Sequence, residues 1–265
     1  MSRVLITGCG SGIGRAAALE FTRRGHEVIA TAREVDSIAD LEVAERHQLD
    51  VTSDEQVAAL VSRIGDVDVL VNNAGVGLHG PLEVVPMEAI ENLYDINVLG
   101  TIRITKALLP SLRTRGKGTV FFVSSPAGRA TRPLTGSYGS TKAAVDLIME
   151  SLSFELEDTG ARVVLVAPGA VASGFGERRS TYSSDVEPYR TITEQWVRRR
   201  SASHTSHAST PEEVATVIAD LHERETRPFS RHTVGEEAAA LLDQRAECDD
   251  DTYRERVWAG LRPQG

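Results

Sequence analysis

Thr7-Gly8-Cys9-Gly10-Ser11-Gly12-Ile13-Gly14 is the stretch on which the fold turns. It follows the apolar run Val4-Leu5-Ile6 and leads into a helical pattern at 13–24 that stops at Gly25. Glycines at 8, 12 and 14 permit a tight turn, close approach of a ligand to the backbone, and close packing of helix on strand. The helix N-terminus then offers free N–H groups and a partial positive charge to a pyrophosphate. A glycine-rich turn of this kind also occurs without any ligand. What favours a nucleotide here is its place between the first strand and the first helix.

Outward from this turn, short apolar runs alternate with longer helical patterns. Residues 4–7, 27–31, 68–71, 119–123 and 162–166 are β-branched and nearly continuous in hydrophobicity, as strands buried on both faces of a parallel sheet are. Helical patterns cover 57–64, about 86–113, 137–158 and 214–221. Thr52 with Glu55, and Thr210 with Pro211 and Glu213, have capping-box spacing. The alternation predicts an α/β fold: a Rossmann-type doubly wound parallel sheet of about seven strands flanked by helices. All 265 residues fit one such domain. Residues 172–209, with Gly174, Gly176, many Ser and Thr and Arg198-Arg199-Arg200, break the rhythm and are expected to form a substrate lid. Residues 235–262 read as a helical C-terminal tail that includes Asp249-Asp250-Asp251.

The formal charge is −9, from 29 basic and 38 acidic residues. That balance argues against general affinity for nucleic acid or anionic membrane. No apolar stretch approaches the ~20 residues of a membrane span. The chain passes from Met1-Ser2-Arg3 straight into its first apolar run, so no leader is expected. Two cysteines, Cys9 and Cys248, exclude a disulfide framework, and no metal-ligand spacing is present. The expectation is a cytoplasmic protein without a metal and without a membrane span.

The second strand bears on the nucleotide. It ends Ile29-Ala30-Thr31-Ala32-Arg33. A carboxylate there would hold the ribose 2′-hydroxyl of NAD, but Ala32 offers none, and an arginine fork suits a 2′-phosphate. Ser11 is a second donor to that phosphate, and Glu34 is a complication. NADP(H) is therefore the expected cofactor.

Tyr138 and Lys142 stand at i and i+4 in Ser137-Tyr138-Gly139-Ser140-Thr141-Lys142, on one face of a helix. Five tyrosines and three lysines placed at random would give roughly 0.06 such pairs. An ammonium beside a phenol favours phenolate. Moving a tyrosine from about 10 to about 7 requires roughly 4 kcal/mol of charge stabilisation. Ser125, thirteen residues before Tyr138, is placed to bind a substrate oxygen at the carboxyl edge of the sheet, where open α/β folds bind ligands; Ser124 is a weaker candidate. Asn72-Asn73-Ala74-Gly75 reads largely as a structural turn whose small residues let the chain pass close to a ligand. Asn97 is a poor residue inside a helical pattern, which a bond to water or to a main-chain carbonyl would explain. Pro168-Gly169 closes a strand and opens the long segment that follows.

Together these residues resemble the short-chain dehydrogenase/reductase family, in its single-domain branch. The likeness covers about 3–175, with a weaker echo at 227–235. It rests on Thr7-Gly8-x3-Gly12-Ile13-Gly14, Asp50-Val51, Asn72-Asn73-Ala74-Gly75, Asn97, Ser125, Tyr138-x3-Lys142 and Pro168-Gly169 in order. The resemblance implies Tyr138 as general acid/base, with Lys142 binding the nicotinamide ribose and lowering the tyrosine pKa. It implies that Ser125 orients the substrate oxygen and Asn97 holds a water in a proton relay. Asp50 and Val51 would contact the adenine, with Asn73, Ala74, Gly75, Val171 and Ser173 on the cofactor side of the cleft. Ser173 stands where the family often has threonine, a mild departure. The long segment after the sixth strand and the arginine after the second resemble the hydroxysteroid- and retinol-dehydrogenase-like branch. That branch implies a bulky apolar ketone, aldehyde or alcohol as substrate and a homodimer or homotetramer through helices at about 86–113 and 137–158. Two other readings fit the same fold less well. A non-catalytic NADP(H)-binding regulator or scaffold would not need Tyr138 with Ser125. A sugar-nucleotide epimerase or dehydratase would need a larger C-terminal substrate domain.

Overall fold

The structure, a computed structural model, describes residues 1–203, 208–224 and 226–261. Residues 204–207 of the expected lid and Arg262 of the expected tail lie outside the described residues. In chain order the elements are β1 (Arg3–Ile6), α1 (Gly12–Arg23), β2 (Glu27–Ala32), β3 (Glu45–Gln48), α2 (Asp54–Ile64), β4 (Val69–Asn72), β5 (Leu78–His79) and α3 (Met87–Tyr94). A π-helical turn (Asp95–Gly100) joins α3 to α4 (Thr101–Arg115), followed by β6 (Gly118–Val123), α5 (Gly136–Glu155) and β7 (Ala161–Pro168). Then come α6 (Phe175–Arg178), β8 (Ser180–Thr181), α7 (Tyr189–Ser203), α8 (Pro211–Arg224), β9 (Phe229–Val234), α9 (Glu236–Ala246) and α10 (Asp250–Ala259).

Seven parallel strands form one sheet in the order β3-β2-β1-β4-β6-β7-β9. The chain runs outward from β1 to β3, then returns to build the other half from β4, so the order reverses beside β1. Ligands of open α/β sheets bind at such a switch point, beyond the carboxyl ends of the strands. Each central strand buries both faces. In β1, Val4 and Ile6 pack with Phe21 of α1 and Ile218 of α8, while Leu5 joins Leu60, Leu108 and Met149 of α2, α4 and α5. In β6, Phe121 and Val123 face the first layer, Val120 and Phe122 the second. This explains the unbroken apolar runs in the sequence.

Local signals hold with three corrections. α1 does end at Gly25: its φ is +80, its N–H donates to the Thr22 carbonyl at 2.9 Å, and the His26 N–H to that of Phe21 at 3.0 Å. The Thr210–Glu213 capping box is reciprocal, at 2.9 and 3.1 Å. The expected box at Thr52 is not formed. Thr52 is turned back onto Asp50 Oδ1 by its N–H and hydroxyl, at 2.9 and 2.7 Å, and Ser53 caps α2 by accepting from the Gln56 N–H at 3.2 Å. The long pattern near 86–113 is α3 and α4 with a widened turn between them. The segment 172–209, whose sequence breaks the rhythm, nonetheless holds regular elements among its described residues: α6, β8 and α7. In α7 the apolar Ile192, Trp196 and Val197 are too few to mark a stripe.

Among the described residues, no helix is long and apolar enough to cross a membrane, and no group of three or more His, Cys, Asp or Glu could hold a metal ion.

Candidate active site

A cavity of about 660 Å³ opens along the carboxyl ends of β1, β4, β6 and β7. Every site residue singled out from the sequence lines it except Gly14 and Asn97.

At one end lies the β1–α1 turn. Gly8 and Gly12 have φ of +75 and +58, a region costly for a residue with a side chain. A Cβ at Gly14 would stand 2.4 Å from both the Gly8 carbonyl oxygen and Asn73 Nδ2, so Gly14 serves packing and not lining. Asn73 Nδ2 donates to the Thr7 and Gly8 carbonyls at 2.9 and 3.1 Å, and the Thr7 hydroxyl accepts from the N–H groups of Asn73 and Ala74. Asn73 is thus the brace of the turn. Ser11 makes no side-chain cap, and the first turn of α1 holds no acid. The N–H groups of that turn therefore remain available to an anion. Burial pushes the Cys9 thiol up to about 12, so it is no nucleophile.

Beside the turn, Arg33 is exposed at the end of β2 and faces the cavity, while Glu34 does not line it. Ala32 is buried. The turn hydrogen bonds from Thr52, helped by the charge of Arg33, hold the Asp50 carboxyl below the usual range.

The other end is built by three consecutive residues of β6 and its exit against three turns of α5. The Ser125 hydroxyl lies close enough to the Tyr138 phenol to favour its ionised form. The Val123 carbonyl accepts from Lys142 Nζ at 2.9 Å, and Asp146 Oδ1 accepts from the Ser124 hydroxyl at 2.5 Å. Close approach makes this register possible: a Cβ on Gly139 would stand 2.6 Å from the Ala127 carbonyl oxygen. Lys142, Ser124 and Asp146 are all at most 5% exposed. Burial pushes the Tyr138 phenol up to about 12, which the nearby Ser125 hydroxyl opposes. Burial pushes the Lys142 ammonium down to about 8, partly countered by Asp146. Nζ lies 4.9 Å from the Phe122 ring centre and 5.9 Å from that of Tyr138. Burial raises the Asp146 carboxyl, against the pull of Ser124, Arg231 and Lys142. Arg231 of β9 pairs with Asp146 and, at 3.1 Å, with Glu150.

Asn97 sits in the π turn, 1% exposed. Its Oδ1 accepts from the Val76 N–H at 2.9 Å, and its Nδ2 donates to the Val76 carbonyl at 3.0 Å and to the Thr141 hydroxyl at 3.1 Å. Thr141 in turn donates to the Tyr138 carbonyl at 2.7 Å. The side chain therefore ties the wall after β4 to the helix carrying Tyr138. Ser173 packs on Gly12, its Cβ 3.0 Å from where a Gly12 Cβ would be. Ser124, weighed beside Ser125 for the substrate oxygen, is turned to Asp146 instead. Sequence reasoning did not find Thr141, Asp146 and Arg231, or His79, Phe175, Arg179 and Trp196 farther along the cavity. Thr141 and Asp146 lie on α5 beside Tyr138 and Lys142, but their partners Asn97, Ser124 and Arg231 are far off in sequence, and Arg231, His79, Phe175, Arg179 and Trp196 come from other segments.

A family model described as short chain dehydrogenase matches residues 2–183. Retinol dehydrogenase 8 of Bos taurus is 40% identical over 186 residues, 65% of this chain and 60% of that protein. The match thus spans less than two thirds of that relative's length. The 17-beta-hydroxysteroid dehydrogenase type 1 of Homo sapiens is 33% identical over 264 residues, 91% of this chain and 80% of that protein. The crystal structure of a short-chain dehydrogenase from Streptomyces avermitilis, 32% identical, superimposes with a TM-score of 0.82 over 97% of this chain and 96% of that one. Matched by the family model over most of its length and superimposable on a solved member over nearly all of it, the chain belongs to the short-chain dehydrogenase family.

Proposed function

We propose that this protein is an NADP(H)-dependent oxidoreductase that interconverts a ketone or aldehyde and an alcohol carried on a bulky, largely apolar substrate, with Tyr138 as general acid/base. The observation that carries this reading is the register of Ser125, Tyr138 and Lys142 at the buried end of a cavity whose other end is an uncapped helix N-terminus. The residues fit a dinucleotide. The N–H groups of the first α1 turn suit its pyrophosphate, Asp50 and Val51 its adenine end, and Lys142 its nicotinamide ribose.

The cofactor, when bound, supplies or accepts the hydride. Ser125 Oγ accepts from the Ala127 N–H at 3.2 Å, which leaves its own proton to donate. A substrate oxygen seated between Ser125 and Tyr138 receives a hydrogen bond from each hydroxyl. In reduction Tyr138 gives up its proton to that oxygen as the carbon gains hydride. Lys142 keeps two N–H groups beyond the one on Val123, and its charge favours the phenolate that remains. Asn97 holds this corner rigid, and a water held there would return the proton. Two free thiols, Cys9 and Cys248, suit a reducing cytoplasmic setting.

The test is NADPH and NADH oxidation by the purified protein over a panel of aryl and alicyclic ketones. Turnover with NADPH is expected. Tight NADPH binding without turnover of any ketone would favour a non-catalytic binder instead.

Cofactor choice is expected to rest on Arg33. A charge-assisted bidentate contact is worth about 1.5–3 kcal/mol, so it supplies roughly a ten- to hundredfold preference for NADPH. In Arg33→Ala, kcat/KM should fall mainly with NADPH, and added salt should erode the wild-type preference. An equal penalty on NADH would remove Arg33 from this role.

The chain is further proposed to form a homodimer or homotetramer. Leu147 and Phe154 of α5 are 69% and 74% exposed, and Leu99 beside α4 is 50% exposed. These apolar surfaces suit helix packing between copies. Light scattering should show an oligomer that Leu147→Glu with Phe154→Glu dissociates; a wild-type monomer would refute it.

A further inference from the structure

Where β5 pairs with β8, the Ser180 N–H donates to the Gly77 carbonyl at 3.0 Å. This pairing brings Arg179, just before β8, against the chain that leaves β4. A Cβ on Gly77 would stand 2.9 Å from Arg179 Cβ and 3.1 Å from the Phe175 ring. That ring lies 6.1 Å from the Tyr138 ring, centre to centre. Arg179 is therefore held on the lining of the cavity, on the same stretch of wall as Phe175, whose ring leads on to Tyr138.

Its chemistry is unlike that of the other enclosed arginines. Arg3, Arg24, Arg103, Arg115 and Arg231 each pair with at least one carboxylate. Arg179 is partly buried, yet among the described residues no carboxylate or hydrogen-bond acceptor engages it. Burial alone lowers its pKa, and a guanidinium stays charged regardless. His79 beside it is pushed down to about 4 by burial and by the charge of Arg179, and so is neutral. Glu237, an acid on the same cavity, is 3.8 Å from Arg132. The corner thus presents one uncompensated positive charge and five N–H donors. Apolar surface from Phe175 and Trp196 stands beside it. Enclosed charges without a protein partner mark places where a ligand brings the partner.

We propose that Arg179 is the anion-accepting subsite of the substrate pocket, so that the substrate joins its reacting carbonyl or hydroxyl to a carboxylate or similar oxyanion through an apolar body. This rests on the oxidoreductase reading above and narrows its substrate from neutral apolar alcohols and ketones to oxo- or hydroxy-acids. A phosphate of the cofactor is the other source of such an anion, and the two are separable.

The experiment compares benzoylformate and β-benzoylpropionate, each beside its methyl ester, with NADPH-loaded protein. Binding is read by quenching of tryptophan emission, since Trp196 lines the cavity, and turnover by NADPH oxidation. At least one free acid is expected to bind about ten- to a hundredfold more tightly than its ester. Arg179→Met should bring acid and ester together, and Arg179→Lys should restore part of the difference. Acid and ester bound equally by the wild type, or neither bound, would overturn the proposal. So would an Arg179→Met variant that loses affinity for NADPH and keeps its preference for the acid. Selective acid binding without NADPH oxidation would refute the oxidoreductase reading and uphold the subsite. Equal turnover of acid and ester would do the reverse.

Discussion

Tyr138→Phe is expected to lower kcat by about 10²- to 10⁴-fold, the usual loss when a general acid/base is removed, while NADPH binds nearly as before. The phenyl ring keeps its place against Phe175, and only the hydroxyl with its transferable proton is gone. In this cavity the proton is firmly held, because burial pushes the phenol up to about 12. Bringing it to neutrality takes roughly 7 kcal/mol of preferential phenolate stabilisation. Lys142 is the nearest source, together with the positive nicotinamide ring once a carbonyl has been reduced. Because burial pushes Lys142 down to about 8, its charge is present below that pH and disappears above it. For reduction, kcat/KM should be level below about 8 and fall as pH rises further. Lys142→Arg should also fail. The slot beneath Tyr138, between the Val123 carbonyl and the Phe122 ring, fits a compact ammonium and not a planar guanidinium. Steady-state NADPH oxidation with fluorescence titration of NADPH checks each variant. Wild-type turnover in Tyr138→Phe would dismiss the mechanism.

The parts of this site legible in the sequence are those whose geometry is local. The glycine turn needs backbone conformations and close contacts that few residues other than glycine tolerate, so its composition and its position both show. Tyr138 and Lys142 are one helical turn apart, and helical spacing alone puts them on one face. The central strands show because burial on two faces leaves nothing but apolar residues. β3 does not show, because Glu45-Arg46-His47-Gln48 lies at the edge of the sheet and alternates partly buried with exposed. Asn97 was legible as an anomaly but not as a brace, since Val76 and Thr141 are 21 and 44 residues away. Arg179 and Arg231 were illegible for the same reason: an arginine in a chain with many arginines says nothing until the fold shows which carboxylate faces it, or that none does.

Arg231→Met is expected to destabilise the protein by about 3–5 kcal/mol at neutral pH, the usual cost of leaving one member of a buried ion pair without its partner. For a chain of 265 residues that is a fall in Tm on the order of 10 °C. Asp146 is 4% exposed and already has a raised pKa from burial, although Arg231 and Ser124 both favour its charged form. Without Arg231 the carboxylate keeps the Ser124 hydroxyl and the more distant Lys142 charge, neither of which matches a paired guanidinium. The sign with pH follows. A carboxyl whose folded pKa lies above its unfolded value binds its proton more tightly in the folded state. The folded variant is therefore penalised most above its folded pKa, and the penalty shrinks as pH falls toward the unfolded value of 3.8. Thermal melts of wild type and Arg231→Met should thus converge as pH is lowered from 7 toward 4, after subtraction of the acid loss common to both. Arg231→Met combined with Asp146→Leu should regain most of the stability, because an apolar pair of similar volume leaves no charge to bury. The gain would not extend to catalysis. Removing Asp146 frees the Ser124 hydroxyl and takes away the charge that supports Lys142, one turn earlier on α5, so the fall in reduction rate should move to lower pH in the double variant. Equal melting of wild type and Arg231→Met at neutral pH would show that Asp146 is charge-neutral in the fold and that Lys142 stands without its support.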